Sequence, residues 1–207
     1  MFSTDVKTNT LELSFRDRET LLGVAQASIR SGLCSGEPVV VEPAAFAESL
    51  RDPRASFVTL RIDGELRGCI GSVEACRPLV VDVVDNAYNA AFRDPRFPPL
   101  RPFEFPMLTV HISVLSPMEP LRFAGEADLL EQIRPGMDGL EIEYWTRRGL
   151  LLPSIWELLP DKRQFLQTLK MKAGLPATFW SQRMNVNRFT TESFGRQVTS
   201  LPDNRAT

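Results

Sequence analysis

Ser56-Phe57-Val58-Thr59-Leu60-Arg61-Ile62-Asp63-Gly64-Glu65-Leu66-Arg67-Gly68-Cys69-Ile70-Gly71-Ser72 reads as a β-hairpin. Ser56 to Ile62 has the composition of a strand, Asp63-Gly64 is a strong two-residue turn, and Glu65 to Ser72 supplies the returning strand. Two glycines flank a cysteine in that second strand. Glycine weakens a strand, so its use here points to close backbone approach or a bulge. With a period of two, Arg67, Cys69 and Gly71 face one side and Leu66, Gly68 and Ile70 the other. A guanidinium then lies near a thiol with little bulk around it, which favours thiolate and leaves room for a ligand. The backbone amides beside the glycines can receive negative charge. The competing reading makes Cys69 a small buried apolar residue and the glycines an allowance for tight packing.

Upstream, Ser14 and Asp17 form an N-cap pattern, and Leu21, Leu22, Ala25 and Ile29 recur at helical spacing, predicting a helix from about Phe15 to Ser31 with Gly32 as its stop. Pro38 to Val41 reads as a short extension ended by Pro43. Downstream, Pro78 opens a helix with a broad apolar face that ends near Asp94-Pro95. The five prolines between Pro95 and Pro106 favour an extended, stiff loop. Leu108 to Leu115 alternates as a strand, with Thr109, His111 and Ser113 on its polar side.

The second half predicts a helix over Glu126 to Arg134, then a second hairpin in which a strand over Gly139 to Trp145 turns at Arg148-Gly149 into the apolar Leu150-Leu151-Leu152. A short helix capped by Ser154, a longer one over Asp161 to Ala173 and a final strand over Met184 to Phe194 follow. Strands and helices mix without a βαβ rhythm, so the class is α+β, a mainly antiparallel sheet with flanking helices. One domain is expected over residues 10–196, with 197–207 as a frayed tail.

Apolar residues at 43% and charged residues at 24% suit a folded chain of 207 residues that needs no staple. Three cysteines without C-x-x-C spacing argue against a disulfide framework or zinc ribbon and fit a reducing, cytoplasmic compartment. No apolar run approaches the ~20 residues of a membrane helix. Neither a phosphate-binding glycine loop nor metal-ligand spacing occurs, so the motifs imply no cofactor and no metal.

A thiol nucleophile needs a base, and His111 is the only histidine, which makes Cys69 and His111 the one available dyad. His111 reads equally as a surface residue of its strand. Glu104 and Asp94 are further acid/base candidates, each with a structural alternative: Asp94 at a helix end, Glu104 in solvent.

At these residues the chain resembles a known family. Leu66-Arg67-Gly68-Cys69-Ile70-Gly71 looks like the signature hexapeptide of the AMMECR domain family, and Asp94-Pro95-Arg96-Phe97-Pro98-Pro99 resembles its second characteristic stretch. Ile112-Ser113-Val114-Leu115-Ser116-Pro117 is a third match. The resemblance implies two unequal lobes packed around a cleft that receives a small molecule, with the hexapeptide beside it. It also implies a binding set of Arg67, Gly68, Ile70, Gly71, Asp94, Arg96, Phe97, Pro98 and Ser113. A Memo-like protein and a radical SAM protein are the implied partners, in a system for which RNA modification is suggested. The chain then acts either as an enzyme or enzyme component using Cys69, or as a noncatalytic ligand- or protein-binding scaffold module. If both specific stretches serve one site, Arg67, Cys69, Asp94, Arg96 and Phe97 converge.

With a formal net charge of -2, the chain offers no broad positive field to a phosphate backbone. RNA binding is therefore expected to be weak and to fall steeply between two salt concentrations in a titration; tight binding that survives high salt would contradict this.

Overall fold

Asp63 and Gly64 take φ values of 51° and 83°, the pair of left-handed residues that a two-residue hairpin turn requires. Around this turn the computed structural model describes residues 12–198. In chain order the elements are α1 (Phe15–Ser35), α2 (Glu48–Arg51), β1 (Ser56–Ile62), β2 (Glu65–Gly71), α3 (Leu79–Phe92) and β3 (Leu108–Leu115). They continue with β4 (Glu119–Pro120), α4 (Glu126–Gln132), β5 (Gly139–Tyr144), β6 (Arg147–Leu151), α5 (Lys162–Lys172), β7 (Asn185–Phe189) and β8 (Thr191–Gln197). No described helix is long and apolar enough to cross a membrane. The chain divides into two compact units, one running to Val114 and resuming at Glu192, the other spanning Leu115–Thr191.

The first unit holds a sheet of order β2-β1-β3-β8. Its alternating sequences place Val58, Leu60, Val110 and Ile112 on one face, fully buried in a core with Val83 and Ala87 of α3 and Leu21 and Ile29 of α1. Each such side chain contributes about 1.5–3 kcal/mol by leaving water. The other face carries Phe57, Thr59, His111 and Ser113, matched across strands as Phe57 with Ser113 and Thr59 with His111. The helix start follows its capping box, with Ser14 Oγ accepting from the Asp17 N–H and Asp17 reaching back to the Ser14 N–H. Its end lies beyond the expected stop. Gly32 sits inside the helix against Phe92, and Gly36 at φ 79° closes it.

A polar cluster joins β1, β2 and α3. Asp82 is completely buried and accepts from the Ser56 N–H (2.9 Å), Ser56 Oγ (2.6 Å), Ser72 Oγ (2.6 Å), Arg77 Nε (2.8 Å) and Asn86 Nδ2 (2.8 Å). Every donor thus meets one carboxylate, which fixes the first turn of α3 to the start of β1 and the residue after β2.

The second unit holds a sheet of order β4-β7-β5-β6 backed by α4 and α5. Trp156 stacks on Phe165 at 3.8 Å between centroids and donates its indole N–H to the Asp138 carbonyl (2.7 Å). Helix α5 begins at Asp161, whose carboxylate accepts the Gln164 N–H, and ends before Gly174, as its sequence dictates.

Several expectations are corrected. The second hairpin turns at Trp145-Thr146, not at Arg148-Gly149: Tyr144 pairs with Arg147, and Trp145 takes φ 56°. Arg148 is held inside β6 by its ion pair with Glu141. The single strand expected over Met184 to Phe194 is two strands in different sheets, because Thr190 leaves the ladder to exchange hydrogen bonds with Ser116. Pro38 to Val41 is not a strand. Pro102–Met107 is a 3-10 turn inside the loop expected to be extended, since the fixed φ of Pro102 suits a first helical position. Ser154 caps no helix; Pro153–Glu157 is a 3-10 turn with Leu152 before it. Of the expected tail, Gln197 closes β8 and Val198 is buried, its N–H donating to the Leu108 carbonyl; residues 10–11 and 199–207 lie outside the described residues.

Removing the buried carboxylate should expose what the cluster is worth. Asp82→Ala leaves five donors without their acceptor and is expected to cost roughly 3 kcal/mol in urea unfolding at unchanged slope. A loss below about 1 kcal/mol would show that the cluster does not anchor α3.

Candidate functional site

The two-residue turn sets the register of β2 against β1: Ile62 pairs with Glu65 and Arg61 with Leu66. The next pair is Leu60 with Gly68, so Arg67 is an extra residue, a β-bulge. The bulge decides which way the motif faces. Uninterrupted pairing sets Cys69 opposite the core residue Val58; with the bulge Cys69 stands opposite Thr59, on the face away from α3.

Both glycines of the motif have a steric reason. A Cβ on Gly68 would collide with the Ala90 carbonyl of α3, and one on Gly71 with the ring of Phe57. Ile70 points to the core.

β2 is an edge strand, and its outward backbone groups need partners. At Cys69 two side chains supply them. The Cys69 N–H donates to Asp94 Oδ2 (2.8 Å), and Arg96 Nη2 donates to the Cys69 carbonyl (3.1 Å). The two clamping groups are themselves bidentate partners, Nε to Oδ1 at 2.9 Å and Nη2 to Oδ2 at 2.7 Å. Asp94 and Arg96 therefore do at one residue what a neighbouring strand does along a ladder.

The thiol is held as well: Thr59 Oγ1 lies 3.3 Å from Cys69 Sγ and donates to it. Arg67, expected beside the thiol, is turned away by the bulge. Its Nε and Nη2 grip Glu104 at 2.7 and 3.1 Å, and Nη2 also donates to the Pro98 carbonyl (3.0 Å). The guanidinium next to Cys69 belongs to Arg96. Its pKa stands above the ordinary value, chiefly through the hydrogen bond to Asp94, with smaller contributions from the Cys69 side chain. Phe97 lies against both arginines, 5.9 Å from the Arg67 guanidinium and 5.6 Å from that of Arg96.

The structure thus brings together Arg67, Gly68, Cys69, Asp94, Arg96, Phe97, Pro98 and Glu104. His111 and Ser113 stand apart. Cys69 pairs with Thr59 and Thr59 with His111, so the imidazole is two strands away, roughly 10 Å. Its ring packs on Gly195, and its pKa is lowered, first by desolvation and then by Arg61. Ser113 Oγ shares a hydrogen bond with Ser193 Oγ (2.8 Å).

Nor do the carboxylates offer acid/base chemistry. The hydrogen bond from Arg96 holds Asp94 well below the carboxylate range, and the Arg67 hydrogen bond lowers Glu104 likewise. Both stay ionised and act as fixed acceptors. Among the described residues no three of His, Cys, Asp and Glu are grouped to hold a metal ion.

The comparisons with known proteins fit this geometry. The family model described as AMMECR1 matches residues 22–194. The chain belongs to the AMMECR1 family. A Methanothermobacter thermautotrophicus protein is 40% identical over 184 residues, covering 88% of this chain and 95% of its own length. A Thermotoga maritima protein is 42% identical over 159 residues, covering 75% and 86%. The crystal structure of the uncharacterized protein PH0010 from Pyrococcus horikoshii matches with a TM-score of 0.79 at 34% identity, over 86% of this chain and 91% of that one. The fold of this AMMECR1 chain is thus shared with a solved relative.

Sequence reasoning missed Thr59 and the Asp82 cluster. Asp82 and Asn86, four residues apart on the apolar stripe of α3, were the available signal for the cluster; Thr59 had none without the bulge.

Asp94 also makes a pH prediction. Its folded pKa is depressed, so its stabilisation is present above the unfolded value of about 3.9 and fades as pH falls toward the lower folded value. Asp94→Asn should lose on the order of 2 kcal/mol at neutral pH, and the gap to the parent protein should shrink below about pH 4 in urea titrations. An unchanged gap down to pH 2 would count against the clamp.

Proposed function

We propose that this AMMECR1-family chain is a component of an enzyme system in which Cys69 is the reactive thiol and the residues around it hold a small molecule. One observation carries the reading: all three polar handles of Cys69 are held individually, the N–H by Asp94, the carbonyl by Arg96 and the sulfur by the Thr59 hydroxyl. Cys34 and Cys76 are exposed, whereas Cys69 is half-buried. A residue held at its N–H, its carbonyl and its sulfur fits a group that must meet a ligand in one geometry.

The same geometry supports a component over a self-contained Cys/His enzyme. His111 lies too far away, across Thr59, to take the thiol proton directly, so the base belongs to the ligand or to a partner. A Memo-like protein and a radical SAM protein are the partners we propose. The distance to His111 is also what favours the second reading, a noncatalytic module that binds a ligand or protein through the same residues.

Alkylation separates the two. Followed by mass spectrometry, Cys69 should label faster than Cys34 and Cys76 despite its lower exposure, and Arg96→Ala or Thr59→Val should slow it severalfold while Arg67→Lys changes it little. If Cys69 labels no faster than the exposed thiols, and Cys69→Ser retains all partner binding, the thiol is a packing residue and the binding-module reading stands.

A further inference from the structure

Three facts around Phe97 point to a ligand. Arg67 has its side chain only 12% exposed, and its Nη1 is buried without an acceptor among the described residues. An ionised N–H group out of water and unpartnered is costly, and native structures rarely leave one without a reason. Second, Arg96, with its side chain 54% exposed, spends only its Nε and Nη2 on Asp94 and Cys69. Third, a single half-buried ring, that of Phe97, lies against both guanidiniums.

The surrounding charge agrees. Arg67, Arg96 and Arg101 stand here against Asp94 and Glu104, so the arginines exceed the carboxylates that neutralise them. Glu104 and Pro98 fix one guanidinium, Asp94 fixes the other, and neither needs to reorganise to present its remaining N–H groups.

We propose that Arg67 and Arg96 form a binding site for an oxyanion, a phosphate or carboxylate group of a small molecule, which displaces the Phe97 ring to reach Arg67 Nη1. The proposal rests on the reading of Cys69 as a ligand-facing thiol and gives that ligand a charge. The Cys69 backbone is bonded to Arg96, so an anionic group held by this guanidinium brings the rest of its molecule toward the sulfur.

The full-length chain is titrated with inorganic phosphate and, separately, with acetate, following arginine Nε–H signals by nitrogen-15 NMR. Saturable shifts at both Arg67 and Arg96 with phosphate alone assign a phosphoryl group, with acetate alone a carboxylate, and with both a general oxyanion site. Arg96→Gln should weaken binding roughly tenfold, Phe97→Ala should retain or tighten it, and Arg188→Gln, which breaks an ion pair in the other unit, should leave it unchanged. Circular dichroism confirms that each variant is folded; for any that is not, the site is read from the two signals in the parent protein. Absence of saturable shifts at these arginines with either anion, or equal weakening by Arg188→Gln, overturns the proposal. Fast Cys69 labelling without anion binding sinks this site alone, whereas anion binding retained beside a slow thiol sinks the thiol reading alone.

Discussion

One unpaired residue in an edge strand governs the site. The bulge at Arg67 advances β2 by a residue, and because side chains alternate with a period of two, that step carries Cys69 from the core side of the sheet to the side of Thr59. The same step puts Gly68 under α3, where only a residue without Cβ fits. Arg67, released from the ladder, reaches Glu104 and Pro98 in the proline-rich segment. A single register change thus sets the thiol, the helix contact and the loop anchor.

The clamp by Asp94 and Arg96 follows from the same location. An edge strand with free N–H and carbonyl groups invites a foreign strand, and proteins often meet this with charge or a covering loop. Here the segment after α3 does both at Cys69. Its cost is low because Asp94 and Arg96 satisfy each other as they satisfy the backbone. Packing alone would not require that one residue's amide, carbonyl and sulfur each have a dedicated partner, and this is why the arrangement suggests a positioned thiol.

Much of the fold was legible in the sequence because local chemistry and tertiary placement agree. The Asp63-Gly64 turn, the alternation of Leu108 to Leu115 and the cap and stop of α5 need no long-range information. Convergence of the hexapeptide with the Asp94-Phe97 stretch was also readable, though only through family resemblance. What was not legible depends on partners distant in sequence. Gly32 looks like a stop until Phe92 is packed against it, and Thr190 looks like strand until Ser116 takes its hydrogen bonds. The bulge belongs to this second kind. Strict alternation put Arg67 on the same face as Cys69, and so named the wrong arginine as the neighbour of the thiol.

That exchange of arginines changes the chemistry. A thiol beside an arginine on its own strand would be activated by a group with no other duty. Arg96 instead shares its charge between Asp94, the Cys69 carbonyl and the space around the sulfur, so its effect on the thiol depends on how tightly Asp94 holds it. An anion bound as proposed at Arg96 would compete for the same guanidinium and so act on the clamp. Under the proposed anion site, ligand binding and the clamp on Cys69 are coupled through one side chain, because the same guanidinium serves the anion, Asp94 and the Cys69 carbonyl.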